Sequence, residues 1–427
     1  MEHTFYPMEY TFHPMEFTFR PMKRKDIQDK PSFLSAFLTH KERCVFYIFI
    51  NFVQNYIRTK MEQHLLNKIV SQFDIRGTVT DFKPMEKGLI NDSYHVFTME
   101  KDMPDYVLQH INNNIFENVD LLMDNIITVV NHIRRKYESK GLKDIDRHVL
   151  TFIPLKNSEK YYYRDDNGKY WRVMVFIPSK SKSEVTPETS YEVGKSFGDF
   201  EAVLSDIDTE LGESIPNFHN MEFRIKQLKD AVKEDKVHRL SKVQDLVDAI
   251  LKDEEEMCLG ERLYREGKLP KRICHCDTKV NNLLFDDDGN VLCVVDLDTV
   301  MPNFIFSDVG DFLRTAASTT NEDDADTDKV NFNLSIFKAF IKGYLETAGS
   351  FLLPIEIENI PYAAQLFPYM QAVRFLTDYL NGDTYYKISY PELNLDRTRN
   401  QFKLYNSVTA HKSHMAAFIK ECLANKS

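Results

Sequence analysis

The sequence predicts an α/β (α+β) chain in two lobes, a small antiparallel β-sheet lobe followed by a larger, mostly helical one. Three observations predict it. Strand-length apolar runs separated by turn residues crowd residues 77–177, around a single helical stretch. A polar connector, SKSKSE at 179–184, then interrupts the pattern. Beyond it, apolar residues recur at helical spacing over one long segment after another.

Taken in order, residues 61–73 place Leu65, Leu66, Ile69 and Val70 at helical spacing. Strands are expected at 77–83, 93–99 and 106–111, with the turn-rich loop 86–92 between the first two. A helix at 121–137 follows, carrying Ile126, Ile127, Val130 and Ile133 on one face. Strands at 146–154 and 169–177 flank the polar turn Asp165-Asp166-Asn167-Gly168. Thr186-Pro187 opens the helical part, proline being favoured at a first helical position. Helices are expected at 188–207, 221–234, 243–266, 332–348 and 362–380. The organisation is therefore a sheet lobe at 61–178 and a helical lobe at 179–427.

Composition bounds the function. Of 427 residues, 65 are acidic and 54 basic, so the net charge of -11 argues against a nucleic-acid partner. No apolar run reaches the roughly 18 residues of a membrane span. The six cysteines show no disulfide framework, and a cytoplasmic location is expected. Residues 1–60 stand apart: they contain no glycine, and they open with three proline-ended heptapeptides, MEHTFYP, MEYTFHP and MEFTFRP. Proline in every repeat excludes a coiled coil. This extension is expected to lie outside the functional fold, with Met61 as the natural start.

The chemistry is concentrated at 273–298, ICHCDTKVNNLLFDDDGNVLCVVDLD. Here H-x-D-x-K-x-x-N is followed, after a hairpin turn, by an apolar strand ending in aspartate. Phosphoryl transfer needs a carboxylate to orient the attacking hydroxyl, oxygen ligands for magnesium, and a cation against the phosphate charge. Asp277 suits the first role, Asn282 and Asp296 the second, and Lys279 the third. In Cys274-His275-Cys276 the adjacent side chains cannot all converge on a metal, so buried strand cysteines are expected. His275 is expected to orient the loop rather than act as a base.

This segment resembles the kinase-like phosphotransferases that include aminoglycoside and choline kinases. It is most similar to bacterial N-acetylhexosamine 1-kinases, through IPNFHN (215–220), CDTKVNN (276–282), VDLDTVMP (295–302), DVGDFLR (308–314) and NLDRTRNQ (394–401). The resemblance implies a protein-kinase-like bilobal fold, ATP as co-substrate with Mg2+, and a small neutral sugar as acceptor, in a monomer or weak homodimer. It implies Asp277 as the catalytic carboxylate, Asn282 and Asp296 as magnesium ligands, and Asp311 as a brace for the catalytic loop. It further implies that Gly88, Asn91 and Ser93 cover the nucleotide phosphates and that the backbone after Phe176 and Ile177 meets adenine. One departure stands out: Gln109 occupies the third-strand position where such folds place lysine, so Lys279 is the leading phosphate cation.

Acceptor contacts are expected from the helical lobe. Arg374 and Asp378, four apart, share a helix face and either pair with each other or bind hydroxyls. Arg397, Arg399 and His219 are further candidates, and Asp298 is expected to touch metal, phosphate or sugar. Two alternatives to the N-acetylhexosamine reading stay open. One is a kinase of another sugar, amino alcohol or aminoglycoside; the other is a nucleotide-binding pseudokinase, which Gln109 favours and the intact Asp277, Asn282 and Asp296 set opposes.

Overall fold

The computed structural model describes residues 60–85, 91–182 and 184–425. The expected extension 1–60 therefore falls, but for Lys60, outside the described residues, as does Gly88 in the expected phosphate loop. Contacts divide the chain after Leu66. Of the first unit, the described part is the opening turn of a helix over residues 60–70.

The second unit begins with an antiparallel sheet. Strands β1 (Val79–Pro84), β2 (Asp92–Thr98), β3 (Tyr106–Ile111), β4 (Phe152–Ile153), β5 (Tyr163–Arg164) and β6 (Tyr170–Val175) form it. Their order is β1-β2-β3-β6-β4, with β5 also on β6. In β3 the alternation places Leu108 in the core and sets Gln109 directly opposite Arg172 of β6. Helix α1 (Val119–Ser139) starts where the Asn118 side chain accepts the Leu121 N–H, and it buries Leu122, Ile126, Val129 and Ile133. Residues 146–154 were expected to be one strand, but only Phe152–Ile153 pairs. The chain turns at left-handed Asp144 into a 3-10 turn at Ile145–Arg147 and then buries Val149 and Leu150 before Phe152–Ile153 pairs with β6.

After the connector, α2 (Pro187–Leu204) is capped by Thr186 and starts on Pro187 as expected. The helical lobe continues with α3 (Met221–Glu234), α4 (Gln244–Leu251), α5 (Glu254–Met257), α6 (Leu259–Arg265), α7 (Phe306–Ala316), α8 (Leu334–Ala348), α9 (Pro354–Glu358), α10 (Ile360–Leu380), α11 (Leu393–Ala410) and α12 (Lys412–Ala424). The expected helix at 243–266 is broken into α4, α5 and α6. The bends at 252–253 and at Cys258 let Ile250, Met257 and Leu263 all turn inward, which one straight helix would not allow. Helices α2 and α8 cross with their backbones in contact. A Cβ on Gly194 would lie 2.1 Å from Phe340 O, and one on Gly343 2.1 Å from Tyr191 O.

Two small ribbons sit between the sheet lobe and these helices. β7 (Arg272–Cys274) pairs with β10 (Met301–Asn303), and β8 (Leu283–Phe285) pairs with β9 (Val291–Val294). The β8–β9 turn closes through Gly289, at φ +88°, with Asp286 accepting the Asn290 N–H. Together the ribbons fix both ends of the segments 275–282 and 295–300, which carry the motif.

Candidate active site

The loop from His275 to Asn282 is suspended from the first turns of α7. Asp308 Oδ2 accepts from His275 N at 2.8 Å and Oδ1 from Cys276 N at 2.7 Å. Asp311 Oδ2 accepts from Thr278 N at 2.9 Å. These bonds hold Cys276 at φ +62°, a left-handed conformation that a side chain rarely adopts, and so turn Asp277 outward. His275 is fully buried between Phe197 and Phe200, and its Nε2 donates to Val295 O at 2.9 Å, tying the loop to the strand that delivers Asp296. Asp308 was quoted in the sequence motif without a role. Its signal was available: an aspartate on the core-facing side of an apolar helix needs buried N–H partners.

Behind Asp308, Glu201 of α2 and the Cys274 thiol lie within 4.8 Å of its carboxylate. Burial, then the Asp308 charge, pushes the Glu201 carboxyl well above the usual range, which favours its protonated form. Tyr344 donates to the other Glu201 oxygen. Cys274 and Cys276 are both buried, as the sequence led one to expect.

Asp277 is half-buried at the cleft floor, with Lys279 Nζ at 2.6 Å from Oδ1 and 2.9 Å from Oδ2. Burial pulls the Lys279 pKa down, but the Asp277, Asp311 and Asp296 carboxylates outweigh it and raise the value, so the ammonium stays charged. Asn282 Nδ2 donates to Asp277 O at 2.7 Å. Asp296 follows β9 at φ +58° and opens to the cleft. Its carboxyl is raised by enclosure and then by the Asp298 and Asp277 charges. Among the described residues no side chain donates a hydrogen bond to it. A carboxylate under repulsion from its neighbours, held in a strained backbone conformation beside the Asn282 amide, is a donor set that fits a hard divalent cation.

On the sheet side, Gln109 does not present a free amide. Its Nε2 donates to Ser93 Oγ at 3.0 Å, and its Oε1 accepts from Arg172 Nε at 2.9 Å and Nη2 at 2.6 Å. Arg172 is 2% exposed, and its Nη2 lies 2.6 Å from Asp298 Oδ1. That second contact is an ion pair without hydrogen-bond alignment, since no N–H points at Oδ1. Asp298 Oδ2 accepts from Asn91 Nδ2 at 2.7 Å, while Asn91 Oδ1 accepts from Asn112 N. One expectation is corrected here. Asp298 does not line the cleft, because it is the buried counter-ion of Arg172. Asn91 lines the cleft, with its side chain bonded to Asp298 and to the Asn112 N–H. Arg172 was missed in the sequence; the signal lay in the strand register, which sets a charged residue between Trp171 and Val173 in an otherwise apolar strand. Phe176 follows β6, stacks on His95 and donates its N–H to Asp105 O, while Ile177 is buried.

The helical side of the cleft carries His219, Phe367, Gln371, Arg374 and Tyr386. His219 is buried with Nδ1 3.1 Å from Ser307 Oγ. Burial, then Arg374, Arg224 and Arg314, lowers its pKa well below the usual value, so it is neutral. Arg374 lines the cleft but does not pair with Asp378, whose carboxylate accepts the backbone N–H groups of Thr384, Tyr385 and Tyr386. Arg397 and Arg399 do not line the cleft either. Helix α11 points Arg397 at Asp323, 2.6 Å away, and Arg399 pairs with Asp396.

The cleft between these walls has a volume of about 530 Å³ and holds Asp277, Lys279, Asn282 and Asp296 together. A cavity of about 590 Å³ between α1, α2 and the β8–β9 ribbon is slightly larger. It reaches none of these four residues, so size does not decide which is the reactive site.

A sheet lobe and a helical lobe meeting over Asp277, Asn282 and Asp296 define a kinase-like phosphotransferase. Residues 158–343 match the model of the phosphotransferase enzyme family APH. This match covers less than half of the chain, and it is to that family that the segment carrying Asp277, Asn282 and Asp296 is similar. Its fold is similar to that of an aminoglycoside phosphotransferase from Alicyclobacillus acidocaldarius, with 11% identity over 83% of this chain and 96% of that one at a TM-score of 0.52. It is also similar to an amicoumacin kinase in complex with AMP-PNP and Ca2+, with 13% identity, 82% and 95% coverage and a TM-score of 0.50. A microcompartment-associated aminopropanol kinase gives 12% identity, 83% and 98% coverage and a TM-score of 0.50. Among the described residues no helix is long and apolar enough to cross a membrane.

Proposed function

We propose that the chain is an ATP-dependent sugar kinase that transfers the γ-phosphoryl group to the anomeric hydroxyl of an N-acetylhexosamine, in the cytoplasm where ATP is supplied. The observation that carries this reading is the convergence of Asp277, Lys279, Asn282 and Asp296 on one cleft whose opposite wall offers amides, arginine and aromatic rings. A cationic amino alcohol or aminoglycoside would call for unpaired carboxylates on that wall, whereas Glu322 there is paired with Arg314 and Asp311 accepts the Thr278 N–H. A sugar suits hydrogen-bonding side chains and aromatic faces.

In this reading Asp277 orients the acceptor hydroxyl and takes its proton as the new O–P bond forms. Lys279, which pairs with Asp277, turns to the transferred phosphoryl oxygens and offsets their charge. Asn282 and Asp296 would hold magnesium, which when bound neutralises charge on the β- and γ-phosphates.

The test is a panel of acceptors with labelled ATP, followed by assignment of the phosphorylated position. Product at carbon 1 of N-acetylglucosamine or N-acetylgalactosamine is the expected result. Transfer only to an amino alcohol or aminoglycoside, or only to carbon 6, would refute the proposed acceptor. ATP binding with no transfer to any acceptor would favour the pseudokinase.

A further inference from the structure

Beside the acceptor end of the cleft lies a second cavity of about 180 Å³, and Arg374, Tyr385 and Tyr386 line both. Two guanidinium groups enter it, Arg224 from α3 and Arg374 from α10. Their hydrogen-bond partners are all neutral. Arg224 Nη1 donates to Gln227 Oε1 at 2.9 Å and Nη2 to Phe218 O at 2.8 Å, while Arg374 Nη1 donates to Gln371 Oε1 at 3.1 Å. Arg224 Nε is buried with no partner. The Arg374 guanidinium otherwise faces the rings of Tyr385 and Tyr386, at 5.9 and 5.6 Å.

Among the described residues no carboxylate lies within ion-pair distance of either arginine. Asp378 lines the cavity, but its oxygens accept from the N–H groups of Thr384, Tyr385 and Tyr386 and from Asn394 Nδ2. The arginines therefore repel each other without a counter-charge. Burial and then Arg374 lower the Arg224 pKa to about 10, and both arginines help hold nearby His219 neutral. Elsewhere in the chain part-buried arginines are matched: Arg272 by Glu356, Arg314 by Glu322, Arg239 by Asp383. Two unmatched guanidiniums over an open cavity, with the Thr377 and Thr384 side chains on its wall, make a receptor for anionic oxygens.

We propose that the preferred acceptor carries a carboxylate or phosphate group, which Arg224 and Arg374 receive in this side cavity while the hydroxyl to be phosphorylated lies at Asp277. The inference rests on reading the cleft as a kinase acceptor site and narrows the acceptor from a plain N-acetylhexosamine to an acidic derivative of one.

The full chain is titrated calorimetrically, without ATP, with N-acetylglucosamine, its 6-phosphate, its 6-carboxylate and inorganic phosphate. The same three sugars are then compared as acceptors with ATP. At least one acidic sugar is expected to bind and react about tenfold or more better than the neutral sugar. In Arg224→Gln and Arg374→Gln that ratio should fall toward one, and Arg374→Lys should retain part of it; circular dichroism reports whether each variant is folded. Equal binding of acidic and neutral sugars would overturn the inference while leaving the kinase reading intact. Inorganic phosphate binding that needs both arginines, without any preference for acidic sugars, would also overturn it and make the cavity a free-anion site. If no sugar is phosphorylated but the acidic ones bind through the two arginines, the anion receptor stands and the kinase reading falls.

Discussion

Arg172 and Gln109 face each other across β6 and β3, and the guanidinium that meets the Gln109 amide oxygen at 2.6 Å also lies 2.6 Å from Asp298. A cation is thus held one strand away from the position where related folds carry lysine. All three side chains belong to one connected group, and Asn91, just before β2, closes it through Asp298.

Replacing Arg172 by Met leaves Asp298 buried without its counter-ion. A loss of about 3–5 kcal/mol is expected, read as a lower denaturant midpoint. The double variant Arg172→Met, Asp298→Asn should recover part of it. If the single variant kept the parental midpoint, the ion pair would carry no structural weight.

Asp277→Asn keeps the loop geometry but removes the carboxylate proposed to take the acceptor proton. Turnover is expected to fall by about 10²–10⁴-fold, with ATP affinity little changed because Asn282 and Asp296 are untouched. Near-parental kcat in that variant would exclude Asp277 from the chemistry.

Stability should depend on pH through Glu201. Its folded pKa lies well above the ordinary 4.5 because of burial and then the Asp308 charge. The contribution is therefore fully present below about pH 4.5 and is lost as pH rises through the folded pKa, with a slope of at most about 1.4 kcal/mol per pH unit. Glu201→Gln cannot ionise, so the variant should gain on the parent as pH rises from 5 to 9 in denaturation experiments. Parallel pH profiles for the two proteins would mean that Glu201 is ionised in the fold.

Gly194→Ala places a methyl group 2.1 Å from Phe340 O. The obstacle is backbone, so α2 and α8 must separate, at a cost of about 1–3 kcal/mol. Gly141→Ala is a useful reference, because no atom lies near the added methyl and any loss there comes from its positive φ of 71°. A Gly194→Ala midpoint no lower than the parent's would show that the crossing can relax.

Much of this architecture is written in local patterns. The starts of α1 and α2 follow from Asn118 and from Thr186-Pro187, and β3 and α3 have the expected bounds. The motif at 275–298 was readable because its spacing is set by one loop and one ribbon. Elements that depend on distant partners were less legible. Nothing near Cys258 announces that the chain must bend so that Leu263 can be buried beside Met257, and α11 was not foreseen, its charged residues pairing with α11 itself and with the 321–324 loop. Arg172 and Asp298 are 126 positions apart, and only folding shows that they neutralise each other. Arg374 and Asp378 are four apart, yet the carboxylate turns to three backbone N–H groups instead. Helical spacing permits a pair; competing donors decide whether it forms.

The backbone contact between α2 and α8 also governs where the molecule can bend. Helices separated by bulky side chains can slide as those side chains change rotamer, but helices touching at Gly194 and Gly343 have no such bearing surface. The floor that carries Glu201, and through it Asp308 and the catalytic loop, is therefore stiff. The connector after β6 is itself tied to the β8–β9 ribbon, Lys180 by paired backbone hydrogen bonds to Phe285 and Lys182 through its ammonium to Gly289 O, so the stiff region extends to that ribbon. The glycines act as a weld, and whatever bends must lie to either side of it.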